Sequence, residues 1–224
     1  MITAILGLCA AVALPAVYLR DARRQRRSRA QLFAQCLPLL QSYRVTQNGG
    51  DFPLIEGRYQ GYPVKLEPVL DAVAWRKVPS LWLKVTVLAP IPWTGVLDYL
   101  VRPQGVEFYS PGGELAHQLR VPEGWPQHAT LSSDDPERMP PVSLVTPYIG
   151  LFADQQMKEL LITARGSRLV RQLWQAQRSE YLVLRQARFT AIHADPQLVR
   201  ALLDAAISLC GALNQALPAA AKAA

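Results

Sequence analysis

Residues that commonly carry chemistry are scarce in this sequence of 224 residues. It contains three cysteines and three histidines, and none of them has the spacing of a zinc or thiol redox motif. A P-loop, a GxGxxG loop and a GxSxG nucleophile motif are also missing. The sequence therefore predicts no metal, no cofactor and no enzymatic activity, although a catalytic set assembled from distant residues leaves no local motif.

Charge is also sparse and unevenly placed. Charged residues make up 18% of the chain and apolar residues make up half of it, which argues against disorder and allows a sizeable core. Eighteen prolines and thirteen glycines exclude a helical bundle over the whole length. The ten residues 20–29 carry +5 of the net charge of +7. Binding of nucleic acid needs basic residues arrayed over a folded surface, so no nucleic-acid partner is expected.

A long uncharged stretch lies at the N-terminus, from Ile2 to Leu19. As a helix its eighteen residues reach roughly 27 Å, which matches the hydrocarbon core of a bilayer. A signal peptide normally has basic residues before its apolar stretch, and only Met1 precedes this one. A buried core helix is not usually followed by a run of arginines. The pattern predicts a transmembrane anchor over residues 1–19.

Six arginines follow the apolar stretch: Arg20, Arg23, Arg24, Arg26, Arg27 and Arg29. Basic residues stay on the cytoplasmic side of a membrane, so the N-terminus is expected outside and the rest of the chain in the cytoplasm. The same arginines are expected to contact anionic headgroups, each contributing about 1 kcal/mol near the surface. The predicted partners are the lipid bilayer and another membrane or envelope protein, and the layout is typical of a bacterial inner-membrane protein.

The segment 20–47 is predicted to hold this basic juxtamembrane stretch and an amphipathic helix over residues 30–43, which Pro38 would kink or end. Asn48-Gly49-Gly50 breaks the chain, so the folded domain is predicted over residues 48–217. The remaining residues 218–224 are expected to form a flexible tail.

Alternating patterns predict strands after residue 52. Gln60-Gly61 is expected to turn a β-hairpin, and Leu81–Leu88 alternates as a strand. A second hairpin is predicted from residues 96–101 and 106–109. Strands that follow one another without helices form an antiparallel sheet. Residues 110–147 are expected to be mainly loop, with a short strand near Leu119.

The last third is predicted to be mostly helical, after a possible strand over residues 160–163. Gly166-Ser167 is interpreted as a break and a helix cap, and Asp195-Pro196 as the start of a helix that runs to about Leu217. Residues 181–192 fit either a helix or a strand. A possible basic ridge for an anionic surface or acidic partner consists of Arg165, Arg168, Arg171 and Arg178. The alternative for these arginines is a solvated helix face.

Together these patterns predict the α+β class: an N-terminal transmembrane helix, then an antiparallel β-sheet covered by C-terminal helices. The predicted function is a membrane-tethered, non-catalytic interaction or assembly module. One alternative is a binding module for an apolar or lipid-like ligand held between sheet and helices, and another is a membrane-bound hydrolase. The sequence indicates no oligomeric state.

Overall fold

The computed structural model describes residues 2–71, 78–103, 107, 109–176, 189 and 192–216, with side chains from residue 13 onward. Its helices are α1 (Ile2–Ala30), a 3-10 turn (Leu37–Leu39), α2 (Val142–Val145) continued by a 3-10 helix (Thr146–Ala153), and α3 (Pro196–Gln215). Its strands are β1 (Gln41–Thr46), β2 (Leu54–Tyr59), β3 (Tyr62–Asp71), β4 (Ser80–Leu88), β5 (Leu97–Val101), β6 (His117–Leu119), β7 (Ala129–Ser133), β8 (Met157–Thr163) and β9 (Gly166–Gln175). The predicted α+β class is confirmed.

Within the described residues, the strands form one nine-stranded antiparallel sheet in the order β1-β2-β3-β4-β9-β8-β5-β7-β6. The hairpin predicted at Gln60-Gly61 joins β2 to β3. Both turn residues have positive φ, 49° and 84°, which is the backbone of a two-residue turn that suits the twist of paired strands. The predicted antiparallel sheet is therefore confirmed, with more strands than the patterns indicated.

One face of the sheet carries the main core, and α3 covers its centre. The helix begins as predicted: the side chain of Asp195 caps it by accepting a hydrogen bond of 2.9 Å from the backbone N–H of Gln197, and Pro196 follows. α3 packs on β4 and β9. Its buried side chains recur at three- and four-residue spacing and are Val199, Leu202, Leu203, Ala206, Leu209, Cys210 and Leu213.

The amphipathic helix predicted over residues 30–43 is not formed. The chain leaves α1 at Ala30, turns through the 3-10 segment at Pro38 and enters β1. The apolar residues of this segment pack into the main core instead of forming a helix face. Leu32, Phe33 and Cys36 are each no more than 1% exposed. The sequence pattern placed the start of the folded domain at Asn48. The core of the domain also includes residues that precede Asn48, so the predicted boundary is too late in the chain.

The helix predicted after Gly166 is wrong, because this segment is the central strand β9. Gly166 does not precede a helix cap; at φ 141° it passes so close to the carbonyl of Val87 that a side chain would not fit. The helix was predicted because apolar residues recur here at three- and four-residue spacing. This spacing results from a strand that is buried on both faces. A register shift opposite Leu81 and Trp82 adds one residue to β9 and breaks the two-residue period.

The second predicted hairpin is replaced by non-local pairing. β5 pairs with β7 on one side and with β8 on the other, so both of its edges are occupied. β7 and the beginning of the helical stretch 142–153 lie in residues 110–147, which the composition indicated as loop. Residues 104–106 and 108, most of the ambiguous 181–192 and the predicted tail 218–224 lie outside the described residues.

Shortening a side chain of α3 that faces the sheet should destabilise the protein clearly. Leu202 is 3% exposed, so Leu202→Ala removes buried apolar surface and leaves a cavity, at a cost of about 2–5 kcal/mol. Arg200→Ala, on the exposed side of the same helix, should change stability by less than about 0.5 kcal/mol. Thermal unfolding of the two purified variants measures this, and equal melting temperatures would contradict the packing of α3 on the sheet.

Candidate functional site

The arginine cluster lies at the C-terminal end of α1, where the helix meets the domain. Five of its members are exposed: Arg20, Arg23, Arg24, Arg26 and Arg27. Arg29 is half-buried; its guanidinium lies 4.9 Å from the ring centre of Phe52 and donates a 2.7 Å hydrogen bond to the carbonyl of Gly50. The cluster is thus divided between an exposed basic surface and one residue that holds the helix on the domain.

A second contact joins α1 to the connection between β1 and β2. The side-chain amide of Gln47 donates to the carbonyl oxygens of Arg26 at 3.1 Å and of Asp51 at 2.8 Å. Directly after α1, Leu32 accepts a 2.7 Å backbone hydrogen bond from Ala194, the residue before the cap of α3. The helix therefore enters the core without a flexible linker.

The described members of the predicted basic ridge in the last third do not share a helix face, because their segment is a strand and a turn. Arg165 is exposed in the turn between β8 and β9. Arg168 pairs with Glu159, and Arg171 donates a 2.8 Å hydrogen bond to the carboxylate of Asp154. Arg178 lies outside the described residues. The two central arginines thus neutralise acidic partners of their own domain.

The sheet face opposite α3 holds a buried acid pair, Asp98 on β5 and Glu159 on β8, which are 1% and 0% exposed. Arg168 on β9 binds both carboxylate oxygens of Glu159, at 3.0 and 3.1 Å. It also donates to the carbonyl of Tyr109 at 2.9 Å, while the hydroxyl of Ser110 donates to Asp98 at 2.8 Å. The acid pair and its arginine therefore fasten the segment around residue 110 onto this face.

Burial and the negative charge of Asp98 together raise the pKa of Glu159 to about 8, against the opposing effect of Arg168. Burial also raises the pKa of Asp98, against its hydrogen bond from Ser110 and the charge of Arg168. Two carboxyl groups face one guanidinium in a dry environment, so the pair retains one proton at neutral pH. The buried cluster is then electrically neutral.

A polar cleft of about 340 Å³ lies beside this cluster on the same face. Its lining includes Trp82, Gln172 and Lys158, but neither member of the acid pair. Lys158 is the extra residue of a β-bulge between β8 and β9, and a second register shift lies at Trp82. Bulges re-aim side chains and are common beside binding sites. The ammonium of Lys158 lies 3.3 Å from Glu107, so its charge is balanced within the cleft.

The described cysteines and histidines show no reactive or metal-binding arrangement. Burial raises the pKa of Cys36 to about 11 and also raises that of Cys210, which holds both thiols in the unreactive protonated form. The imidazole of His193 contacts the backbone carbonyl of Gln31 at 3.1 Å. Within the described residues, no group of three or more His, Cys, Asp or Glu side chains could hold a metal ion.

Among the described residues, α3 is the one helix long and apolar enough to cross a membrane, with a mean hydropathy of 1.3. Its apolar stripe is packed against the sheet, so we interpret α3 as the core helix of the domain. The predicted anchor, residues 1–19, has its first twelve side chains outside the described part of the chain. No known protein family, curated protein or solved structure matches the chain.

The acid pair and Lys158 were missed by the sequence reasoning. A signal was present: Asp98 interrupts the apolar run Val96–Val101, and Glu159 stands directly before Leu160 and Leu161. A charged side chain within an apolar strand is expected to be buried, and a buried charge needs a partner of opposite charge or hydrogen bonds. The identity of that partner depends on the pairing of β5, β8 and β9, which local patterns do not contain.

The shared proton of the acid pair predicts a specific pH dependence of stability. The ordinary pKa of a glutamate is 4.5 and that of Glu159 in the fold is about 8, so between these values the folded state holds a proton that the unfolded chain has lost. This contribution is complete below pH 4.5 and is lost as pH rises to 8, with a slope of at most about 1.4 kcal/mol per unit. Glu159→Gln should lack it.

Denaturant unfolding at half-unit intervals from pH 4.5 to 8 checks this prediction. The difference in free energy of unfolding between the wild type and Glu159→Gln should fall steadily as pH increases. A constant difference across the range would show that the pair does not share a proton.

Removing the cation should cost far more at Arg168 than at Arg165. Arg168→Met leaves the buried acid pair without its counter-charge, which destabilises a protein by about 3–5 kcal/mol. Arg165→Met makes the same chemical change at an exposed turn and should change stability by less than about 0.5 kcal/mol. Urea unfolding of both variants at pH 7 provides the comparison, and similar values would contradict the assigned role of Arg168.

Proposed function

We propose that the protein is a single-pass membrane protein whose domain works on the cytoplasmic side as a non-catalytic interaction or assembly module. The observation that carries this proposal is the surface of α1. Four of its large apolar side chains are exposed, namely Leu14 at 70%, Val17 at 65%, Tyr18 at 73% and Leu19 at 52%. Arginines follow them directly on the same helix.

The dimensions and composition of α1 support a membrane anchor. Its 29 residues extend roughly 43 Å, enough to cross a hydrocarbon core of about 30 Å and continue through the headgroups. Exposed apolar side chains are costly in water at about 25 cal/mol per Å², and acyl chains remove that cost. Pro15 is tolerated in such a helix, and Tyr18 lies where aromatic residues favour the membrane interface.

The interaction role is supported by the free edge of the sheet. Among the described strands, β1 pairs with β2 alone, and all six of its residues are exposed. Tyr43 and Val45 are each 47% exposed on this strand. An open edge with apolar side chains is suited to a partner strand, and a tether raises the local concentration of that partner without new contacts.

Two alternatives receive less support. A ligand module would place an apolar cavity between the sheet and α3, whereas the apolar stripe of α3 is packed into the main core there. A membrane-bound hydrolase would bring a histidine to a carboxylate or nucleophile in a cleft. The buried thiols and the backbone contact of His193 give no support to that arrangement.

Reporter fusions after Ala224 test the proposed topology. A fluorescent protein that folds only in the cytoplasm should be active, and a phosphatase that folds only outside should be inactive, because basic residues stay inside. Replacing all six arginines of residues 20–29 by glutamine should produce mixed orientations. Phosphatase activity in the unaltered protein would contradict the proposal.

A further inference from the structure

A groove of about 290 Å³ lies between α1 and the domain, lined by Arg23, Arg26, Arg27, Ala30 and Gln47. The four helix residues are spaced by three and four, so they form a single face of α1. We propose that this groove binds the phosphate headgroup of an anionic lipid. The proposal rests on the membrane anchor proposed above and adds a specific ligand to it.

The charge of the groove favours a phosphate group. Three arginines line it together with the neutral Gln47, and none of its lining residues in the described part of the chain is acidic. Asp21 is the one acidic residue among residues 20–29. It lies on the side of α1 opposite the groove, roughly 170° around the helix axis from the groove face. There it accepts a 3.0 Å hydrogen bond from Gln25. Guanidinium groups bind phosphate oxygens in bidentate fashion, which a single exposed charge does not achieve.

The walls of the groove are held in place from both sides. Gln47 is fixed by its two hydrogen bonds to backbone carbonyls, one of them the carbonyl of Arg26 on the opposite wall. Arg29 fixes the end of the helix through Gly50 and Phe52. The arginines of the groove are therefore presented on a defined surface and not on a mobile tail, which lowers the entropy cost of binding.

The depth of the groove agrees with the phosphate layer of a bilayer. Arg23 lies about 6 Å beyond Leu19 along the helix axis, and Arg26 and Arg27 lie about 10–12 Å beyond it. The headgroup layer is roughly 5–8 Å thick on each side. Side chains of a helix tilt toward its N-terminus, so the guanidinium groups of Arg26 and Arg27 extend back toward this layer.

Binding of lipid to the full-length protein in a neutral detergent tests the proposal. The probes are short-chain phosphatidic acid and phosphatidylcholine of the same chain length, and the readouts are the dissociation constant and the shift in melting temperature. Phosphatidic acid should bind and raise the melting temperature, while phosphatidylcholine should do neither.

Two double variants separate the groove from general positive charge. Arg23→Gln/Arg27→Gln removes two guanidinium groups that line the groove, and should weaken binding of phosphatidic acid about tenfold. Arg20→Gln/Arg24→Gln removes the same charge at the same four-residue spacing, but outside the groove, and should weaken it less than about threefold. Equal losses in the two variants would overturn the groove as the site.

Glycerol 3-phosphate and inorganic phosphate distinguish the source of the phosphate. If either stabilises the protein as well as phosphatidic acid at equal concentration, the ligand is a soluble phosphate and the lipid assignment is wrong. The topology reporters are read separately. A cytoplasmic domain with equal losses in both variants overturns the groove alone, whereas an outside domain overturns the proposed tether even if the binding difference persists.

Discussion

The packing of α3 against β4 and β9 is the interaction on which the other parts of the structure depend. The apolar stripe of this helix covers the centre of the sheet, and the segment leading into it reaches the N-terminal region through the hydrogen bond from Ala194 to Leu32. The thiol of Cys36 donates to the carbonyl of Ala194 as well, at 3.4 Å. The segment before α3 thus joins residues that are far apart in the sequence, and it positions α1 on the domain together with the contacts of Arg29 and Gln47.

Local patterns were sufficient where one face of an element is polar or where a turn has a specific chemistry. The cap at Asp195, the helix that follows it and the turn at Gln60-Gly61 are of this kind, and all three were predicted. β9 was misinterpreted because apolar residues on both of its faces and a bulge near Leu173 imitate helical spacing. β7 was missed because few apolar residues mark it and its partner β5 is far away in sequence.

The candidate sites differ in the same way. The arginines of the cluster lie close together in the sequence, so the cluster was evident from the sequence alone. Which arginines line the groove and which one holds α1 on the domain depends on Gln47 and Phe52, and these follow only after the next turn and strand. The acid pair was out of reach, since Asp98 and Glu159 become neighbours only through non-local strand pairing. Arg168, which balances their charge, was assigned to a basic ridge on a helix, whereas it lies on a strand and pairs with Glu159.

The short path from α1 into the core has a consequence for recognition. Ten residues separate Ala30 from β1, and four of them, Leu32, Phe33, Cys36 and Leu40, are buried. A domain on a flexible linker would sample a wide angular range above its attachment point, and each docking event would have to restrict that range. Here the orientational freedom is given up once, when the domain folds. If α1 spans a bilayer along its normal, the exposed edge of β1 is held at a fixed distance from the membrane and in a fixed orientation. A partner in the same membrane could then bind this edge without first restricting the motion of the domain.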